Sequence, residues 1–154
     1  MNHKDAVDLI KSFEGFYSKP YLCPAGIPTI GYGTIRYENG TKVTLADAPI
    51  TKERADQLLM YEVNRACIPA VLRYCPVLVG YENRFNAVVS FVYNLGSGRL
   101  KASTLRRRIN AQEWDLAANE FLKWNKVNGD VSNGLTRRRQ AEKELFLGAD
   151  NATS

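Results

Sequence analysis

Residues 13–34 read FEGFYSKPYLCPAGIPTIGYGT, and this stretch decides the fold. The segment before it is amphipathic and ends at the acid Glu14, whereas three prolines and a glycine-punctuated, β-forming stretch come after it. Proline lacks the N–H that a continuing helix needs, so the helix must stop here. The pattern predicts a short helix followed by a small β region, with Glu14, Cys23 and Thr29 as its candidate functional side chains.

Glu14 is predicted to point inward. It lies four residues after Ile10 and extends an apolar stripe at helical spacing. This helix is expected to be capped by Asn2 and to end at Gly15. The stripe consists of Ala6, Leu9, Ile10 and Phe13. A carboxylate in that position is poorly solvated, which favours a protonated acid near neutral pH. The alternative from periodicity alone is a solvated residue at a helix end.

Further along, Asn39–Gly40 predicts a tight type I′ hairpin turn. Thr51 is predicted to cap a helix that ends at Pro69, and residues 81–95 predict a helix that is apolar almost all round. The stripe of the Thr51 helix is expected to be Ala55, Leu58, Leu59, Val63 and Ala66. Helices and one β region together predict an α+β fold.

Two more helices are expected towards the end of the chain. Asn110 and Glu113 resemble a capping box that opens a helix at Trp114. After a polar, turn-rich segment, a last helix is expected from Leu135 to about Leu147, followed by a frayed tail.

Composition places the chain among ordinary globular proteins. It has 154 residues with 45% hydrophobic and 24% charged residues, a size at which one compact unit is the default. The first sixteen residues carry too many charges for a signal peptide or membrane anchor, so a cytoplasmic product without membrane insertion is expected. The net charge of +5 favours polyanions without choosing among nucleic acid, an anionic envelope and a wall polymer.

The three cysteines, Cys23, Cys67 and Cys75, lack metal-site spacing. Cys67 and Cys75 could pair in an oxidising compartment, but two buried thiols are favoured for a chain made in reducing cytosol. Cys23 could be a reactive thiol, a small buried hydrophobe or a disulfide partner. Thr29 is ordinarily just a good strand residue, although its hydroxyl could hold a water.

The order of Glu14, eight residues, Cys23, five residues and Thr29 closely resembles the catalytic signature of the bacteriophage lysozymes of glycoside hydrolase family 24. The middle position in that family is Asp or Cys. The resemblance extends through TIGYGT, ITKERADQLL, FNAVVSFVYNLGSG and GLTRRRQAE, and covers nearly all of the chain from Asp5 to Leu147.

The resemblance implies one lysozyme-like domain over residues 1–154. Its β lobe spans about 15–50 and its helical lobe about 70–148 plus the N-terminal helix, joined by a long helix with a sugar-binding cleft between the lobes. It implies hydrolysis of the β-1,4 bond between N-acetylmuramic acid and N-acetylglucosamine in peptidoglycan, with inversion and without any cofactor.

For the site, the resemblance implies Glu14 as the acid, with Cys23 and Thr29 placing or activating the water. Arg137 is expected within ion-pairing distance of Glu14. Both Arg137 and Tyr32 are expected to support the site or to bind substrate. Arg138 and Arg139 are expected on a solvated helix face. A monomeric endolysin, released to the periplasm through a separate holin-type pore, is the implied setting.

Two other classes compete with this interpretation. A nucleic-acid-binding protein is suggested by the net charge and by the runs 106–108 and 137–139, but no recognition motif accompanies them. A wall-binding module without catalysis would not need the intact signature around Glu14.

Overall fold

The computed structural model describes residues 1–148. The helices are α1 Lys4–Glu14, α2 Lys52–Glu62, α3 Ile68–Tyr74, α4 Glu82–Leu95, α5 Ser97–Lys101, α6 Thr104–Asn110, α7 Trp114–Phe121 and α8 Asn133–Leu147. The strands are β1 Tyr17–Leu22, β2 Pro28–Gly31, β3 Lys126–Val127 and β4 Asp130–Val131. A mainly helical chain with small two-stranded sheets confirms the predicted α+β class.

Helix α1 follows the predicted stripe, and Ala6 and Ile10 are buried. The helix starts slightly later than expected, because His3 occupies the cap position while the Asn2 side chain accepts the Lys4 N–H at 2.8 Å. Gly15 ends the helix at φ +72°, a left-handed value that glycine adopts without a steric penalty. The chain then turns directly into β1, which leaves Glu14 at the junction.

Strands β1 and β2 pair antiparallel, with Tyr21 opposite Thr29 and a register irregularity between Tyr17 and Tyr21. The hairpin predicted at Asn39–Gly40 exists, but the type I′ turn was wrong. Tyr37 pairs with Thr41 across three residues, and of the central residues only Gly40 has positive φ. The two-residue turn with positive φ at both positions belongs instead to Asn128–Gly129, between β3 and β4.

The helix capped by Thr51 does not end at Pro69, as predicted. Thr51 does cap α2, accepting the Arg54 N–H at 3.1 Å. A π-helical segment, Val63–Cys67, then carries the chain into α3, where Pro69 occupies the first turn and no N–H is needed. The wider turn shifts which residues face inward, so that Cys67 is buried rather than Ala66.

Helix α4 forms the centre of the fold, as its apolar sequence predicted. Eight consecutive residues, 85–92, are buried, and the helix packs against α1 on one side and α8 on the other. Phe91 meets Phe121 and Trp124 edge to face, at centroid distances of 5.8 Å and 5.5 Å. Burial of each phenylalanine contributes roughly 1.5–3 kcal/mol, so these contacts hold α7 and the segment after it against α4.

The capping box expected at Asn110 and Glu113 does not form. Asn110 belongs to α6 and donates to the Tyr74 carbonyl at 2.9 Å, while Gln112 takes φ +57° in the tight turn before α7. Helix α8 starts two residues before the predicted Leu135 and is capped by Ser132. The tail predicted to fray lies outside the described residues, apart from Gly148. Between residues 1 and 148, no helix is long and apolar enough to cross a membrane.

Candidate active site

The Glu14 carboxyl group lies at the end of α1 and is held by one arginine. Its side chain is 19% exposed, and its Oε2 accepts a hydrogen bond from Nη1 of Arg138 at 2.7 Å. The Arg138 side chain is only 4% exposed. A largely buried carboxyl group next to a buried cation confirms the inward orientation predicted from the helical stripe.

The prediction that Arg137 would lie within ion-pairing distance of Glu14 was wrong by one residue. Arg137 is exposed, and the expected solvation of Arg138 and Arg139 was also wrong, since both are buried. Helical spacing explains the difference: one inward stripe of α8 runs through these two arginines. Its members are Leu135, Arg138, Arg139, Glu142, Leu145 and Phe146.

Behind the Arg138 guanidinium lies a second carboxylate, Glu142, which is fully buried. Glu142 Oε2 accepts a hydrogen bond from the Ser90 hydroxyl at 2.6 Å and lies 3.5 Å from Nε of Arg138. Its Oε1 lies 3.0 Å from Nε of Arg139, and Arg139 donates to Asn94 at 2.7 Å. Two carboxylates and two guanidinium groups therefore form one cluster between α1, α4 and α8.

Glu142 makes both a hydrogen bond and ionic contacts with the arginines: Nη2 of Arg139 donates to its Oε2 at 3.4 Å, and the two contacts with Nε atoms are ionic. Nε of Arg138, Nε of Arg139 and Oε1 of Glu142 are buried and have no hydrogen bond of acceptable geometry, although the charges are 3.0–3.5 Å apart. Burial raises the pKa of Glu142, and the two arginines oppose that effect. Burial lowers the pKa of Arg139 to about 10, which still leaves its guanidinium charged at neutral pH.

Gly33 borders the other side of the Glu14 carboxyl group. A Cβ atom at position 33 would lie 2.8 Å from Oε1 of Glu14 and 3.1 Å from its Cδ, and Gly33 has φ +87°. A contact below 3.0 Å requires one partner to move, and the Glu14 side chain is the flexible one. The carboxyl group therefore fits between Arg138 and the bare backbone of residue 33.

We expect Gly33→Ala to reduce activity by about 10- to 100-fold, because a displacement of the order of 1 Å at a reacting group has effects of that size. The positive φ alone should cost about 1–2 kcal/mol of stability. Gly40→Ala is the matched control, since Gly40 has φ +85° but no atom within 4 Å of the added Cβ. Rate measurements on both folded variants test this: equal activities would show that Gly33 acts only through its backbone.

Cys23 and Thr29 lie together at the turn between β1 and β2. The Cys23 N–H donates to the Ile27 carbonyl at 3.1 Å, and the same carbonyl accepts the buried Thr29 hydroxyl at 2.8 Å. Cys23 is a half-buried free thiol and is not half of a disulfide; its role as a reactive thiol stays a prediction. Burial opposes its ionisation, but hydrogen bonds from Ile27, Ala25 and Thr29 outweigh burial and lower the pKa of Cys23.

The Thr29 hydroxyl donates its single proton to the Ile27 carbonyl at 2.8 Å. A hydrogen bond from Thr29 is also one of the causes that lower the pKa of Cys23, so the same hydroxyl bears on the charge of the thiol.

Tyr21 connects the two halves of the site. It lies on β1 opposite Thr29, and its pKa is raised by partial burial and further by the charges of Glu14 and Cys23. Glu14 precedes β1, next to the end of the β1–β2 pair where Tyr17 lies opposite Gly31, whereas Cys23 and Thr29 lie near the other end, where Leu22 lies opposite Pro28. That Glu14, Cys23 and Thr29 act in one site stays a prediction.

Tyr32 is buried to 8% exposure, so its ring has little surface to offer a ligand. It packs against Phe16 at a centroid distance of 5.7 Å, and its carbonyl accepts the Tyr93 hydroxyl. These contacts agree with the supporting role rather than with direct substrate binding. Cys67 and Cys75 are buried free thiols, and burial raises the pKa of each to about 12.

Three residues of the site were not predicted from the sequence: Arg138, Glu142 and Gly33. The α8 stripe was a usable signal, because Arg138 and Glu142 are four residues apart on the face that also carries Leu135 and Phe146. Gly33 had no such signal, since the atom that needs its space belongs to another element. Within residues 1–148, no three His, Cys, Asp or Glu side chains form a group that could hold a metal ion.

Comparisons with known proteins identify the family of this chain. The family model described as phage lysozyme matches residues 11–142. An endolysin of Bacillus phage B103 is 43% identical over 92% of this chain. An endolysin of Acyrthosiphon pisum secondary endosymbiont phage 1 is 37% identical over 92% of this chain and 94% of its own length.

Among solved structures, the endolysin from Escherichia coli O157:H7 phage FAHEc1 superimposes with a TM-score of 0.85 at 38% identity. That match covers 96% of this chain and 94% of the other. The chain spans about half the length, 52%, of the Bacillus phage endolysins that it matches. The family model covers the residues from Glu14 to Glu142, and together with these relatives it shows that the chain belongs to the phage lysozyme family.

Proposed function

We propose that this chain is an endolysin, a peptidoglycan hydrolase that cleaves the β-1,4 bond between N-acetylmuramic acid and N-acetylglucosamine. The main support is the Glu14 carboxyl group, which accepts a hydrogen bond from the buried Arg138 at 2.7 Å. Cys23 and Thr29, the second pair of the signature, lie together at the turn between β1 and β2. Glycosidic cleavage needs a proton donor on one side of the bond and a group that handles water or attacks carbon on the other. Two such groups are present.

In this proposal Glu14 donates the proton to the leaving oxygen. A general acid must carry its proton when the leaving oxygen departs. Activity should therefore fall as the pH rises and Glu14 loses its proton. Arg138 also fixes the direction in which the carboxyl group faces, because its own side chain is buried and bonded to Ser90.

Cys23 and Thr29 handle the water in this proposal. The lowered pKa of Cys23 keeps a thiolate present at lower pH than an ordinary thiol would, whose pKa is about 8.5. The thiolate accepts the proton of the attacking water, and the Thr29 hydroxyl holds that water or the sulfur. Activity should therefore fall as the pH drops and Cys23 becomes protonated, which together with Glu14 gives a bell-shaped profile.

The substrate and the cellular route complete the proposal. The net charge of +5 assists attraction to an anionic wall. Release from the cytoplasm to the wall would depend on a separate holin-type pore. The enzyme would act as a monomer and would bind the glycan in a cleft beside Glu14. Exposed Arg137, near the start of α8, is then a candidate contact for the substrate.

Digestion of purified peptidoglycan followed by mass spectrometry of the products tests this function. We expect muropeptides that end in a reducing N-acetylmuramic acid, because water is the acceptor. A lytic transglycosylase would instead leave an anhydro sugar whose mass is lower by one water. Products that end in reducing N-acetylglucosamine, or an undigested polymer, would contradict the proposal.

The nucleic-acid-binding alternative loses support from the structure. Of the basic run 137–139, Arg138 and Arg139 are buried and ion-paired, so neither can meet a phosphate backbone. Lysis of cells stripped of their outer membrane, compared with a gel shift at physiological salt, separates the two functions.

A further inference from the structure

We infer that Glu142 is a positioning residue for the reaction: its buried negative charge offsets the Arg138–Arg139 pair and so lets Glu14 carry the proton that it donates. This inference rests on the proposed function. It is carried by the distances within one buried cluster, in which Glu142 contacts both arginines and Arg138 contacts Glu14.

The charges of the cluster balance when both carboxylates are ionised. Arg138 and Arg139 then face Glu14 and Glu142. Without the Glu142 charge, two buried guanidinium groups would have Glu14 as their only carboxylate in the cluster. Opposite charges within a few ångströms favour the ionised form of a carboxyl group. Glu14 would then hold its proton less readily, and it would fail as an acid at lower pH.

A residue of α4 holds the Glu142 carboxylate in place. It is fully buried, and the Ser90 hydroxyl donates to its Oε2 at 2.6 Å. Ser90 lies on α4, and its hydroxyl and carbonyl oxygens also lie 3.4 Å and 3.3 Å from Nη2 of Arg138. One α4 residue thus contacts both members of the ion pair and links Glu142 to the guanidinium that faces Glu14.

Titratable side chains from neighbouring elements also lie near the cluster. Tyr93 from α4 and Tyr21 from β1 feel the charge of Glu14, and burial raises the pKa of each. Cys67 from the π-helical segment feels Arg138, and burial raises its pKa to about 12. These three groups stay neutral through the acidic and neutral range. Glu62, at the end of α2, is paired with Arg65 at 2.8 Å. Changes in the pH profile between about 5 and 8 therefore report on the carboxylates and Cys23.

Glu142→Gln tests the inference, because it keeps the shape of the side chain and removes its charge. We expect the ratio of variant to wild-type activity to be lower at pH 7.5 than at pH 5, because Glu14 then faces both guanidinium groups without the Glu142 charge. Taking the ratio at each pH cancels the limb that belongs to Cys23. Glu144→Gln, an exposed acid on the same helix, is the matched control and should show a flat ratio.

A charge-compensated double variant separates positioning from a merely structural role. Glu142→Gln combined with Arg139→Met removes one negative and one positive charge and leaves Arg138 facing Glu14 alone. We expect its pH profile to return towards wild type, because the excess positive charge is gone. A role in packing alone predicts no recovery, since two native side chains are then missing instead of one.

Should Glu142→Gln fail to fold, Ser90→Ala carries the same test. It removes the hydroxyl that stabilises the Glu142 anion, so the basic limb should move to lower pH by a smaller amount in the same direction. A flat activity ratio in the folded Glu142→Gln variant, an unchanged limb in Ser90→Ala, or no recovery in the double variant would overturn the inference. Wild-type protein that fails to cleave peptidoglycan would overturn the proposed function instead, and the two outcomes are distinguishable.

Discussion

Glu14→Gln should abolish peptidoglycan cleavage, with a rate loss of about 10²- to 10⁴-fold, the range that general acid catalysis contributes. The fold should survive the change. A glutamine carbonyl can still accept the Arg138 hydrogen bond, and Arg138 keeps Glu142 at 3.5 Å as a counter-charge. Thermal unfolding should therefore stay close to wild type, while release of soluble muropeptides stops.

Asp8→Asn provides the matched control for that experiment. Asp8 lies on the same helix, and its side chain is 56% exposed and paired with Lys4. The same carboxyl-to-amide change at position 8 should leave the rate of cleavage unaltered. A folded Glu14→Gln variant that retains substantial lysis would remove Glu14 from the role of acid and leave the proposed mechanism without a proton donor.

Cys23→Ala should lose most activity, by about 10²-fold or more, because the base that accepts the proton of water is removed. Cys23→Asp should keep appreciable activity, since a carboxylate can accept the same proton. Cys23→Ser should be poor, because a hydroxyl is a far weaker base than a thiolate. Rates on purified peptidoglycan rank the three variants, and full activity in Cys23→Ala would refute a catalytic thiol.

Thiol labelling of the native protein gives an independent measurement of the same residue. Cys67 and Cys75 are buried with pKa values of about 12, so a thiol reagent near neutral pH should modify Cys23 alone and inactivate the enzyme. The labelling rate should rise with pH through a midpoint below the value of an ordinary thiol, because the pKa of Cys23 is lowered. Glycan substrate should slow both labelling and inactivation.

The elements with strong local signals were predictable from the sequence. Helix α1, the capped start of α2 and the buried helix α4 each follow from periodicity and end signals within a dozen residues. Pro69 shows the limit of such signals. A proline in a helical run marks either the end of one helix or the first turn of the next. The π-helical segment before Pro69 distinguishes the two cases, and packing selects that segment.

Of the site, only the residues that lie close together in the chain were predictable from the sequence. Glu14, Cys23 and Thr29 lie within sixteen residues, so their order in the chain already indicates their chemistry. Arg138 lies 124 residues from Glu14, and which of three consecutive arginines meets it depends on the rotation of α8. Consecutive residues on a helix differ in direction by about 100°, so a shift of one position exchanges a buried ion pair for an exposed side chain.

The 2.8 Å separation between Glu14 and a Cβ atom at position 33 has an evolutionary consequence. Positions 14 and 33 do not accept substitutions independently, because a side chain at 33 occupies space that the carboxyl group requires. A lineage that first loses Glu14 is free of that conflict and can then acquire a residue at 33. Restoring Glu14 alone would no longer restore the site, so loss of activity becomes difficult to reverse by single substitutions.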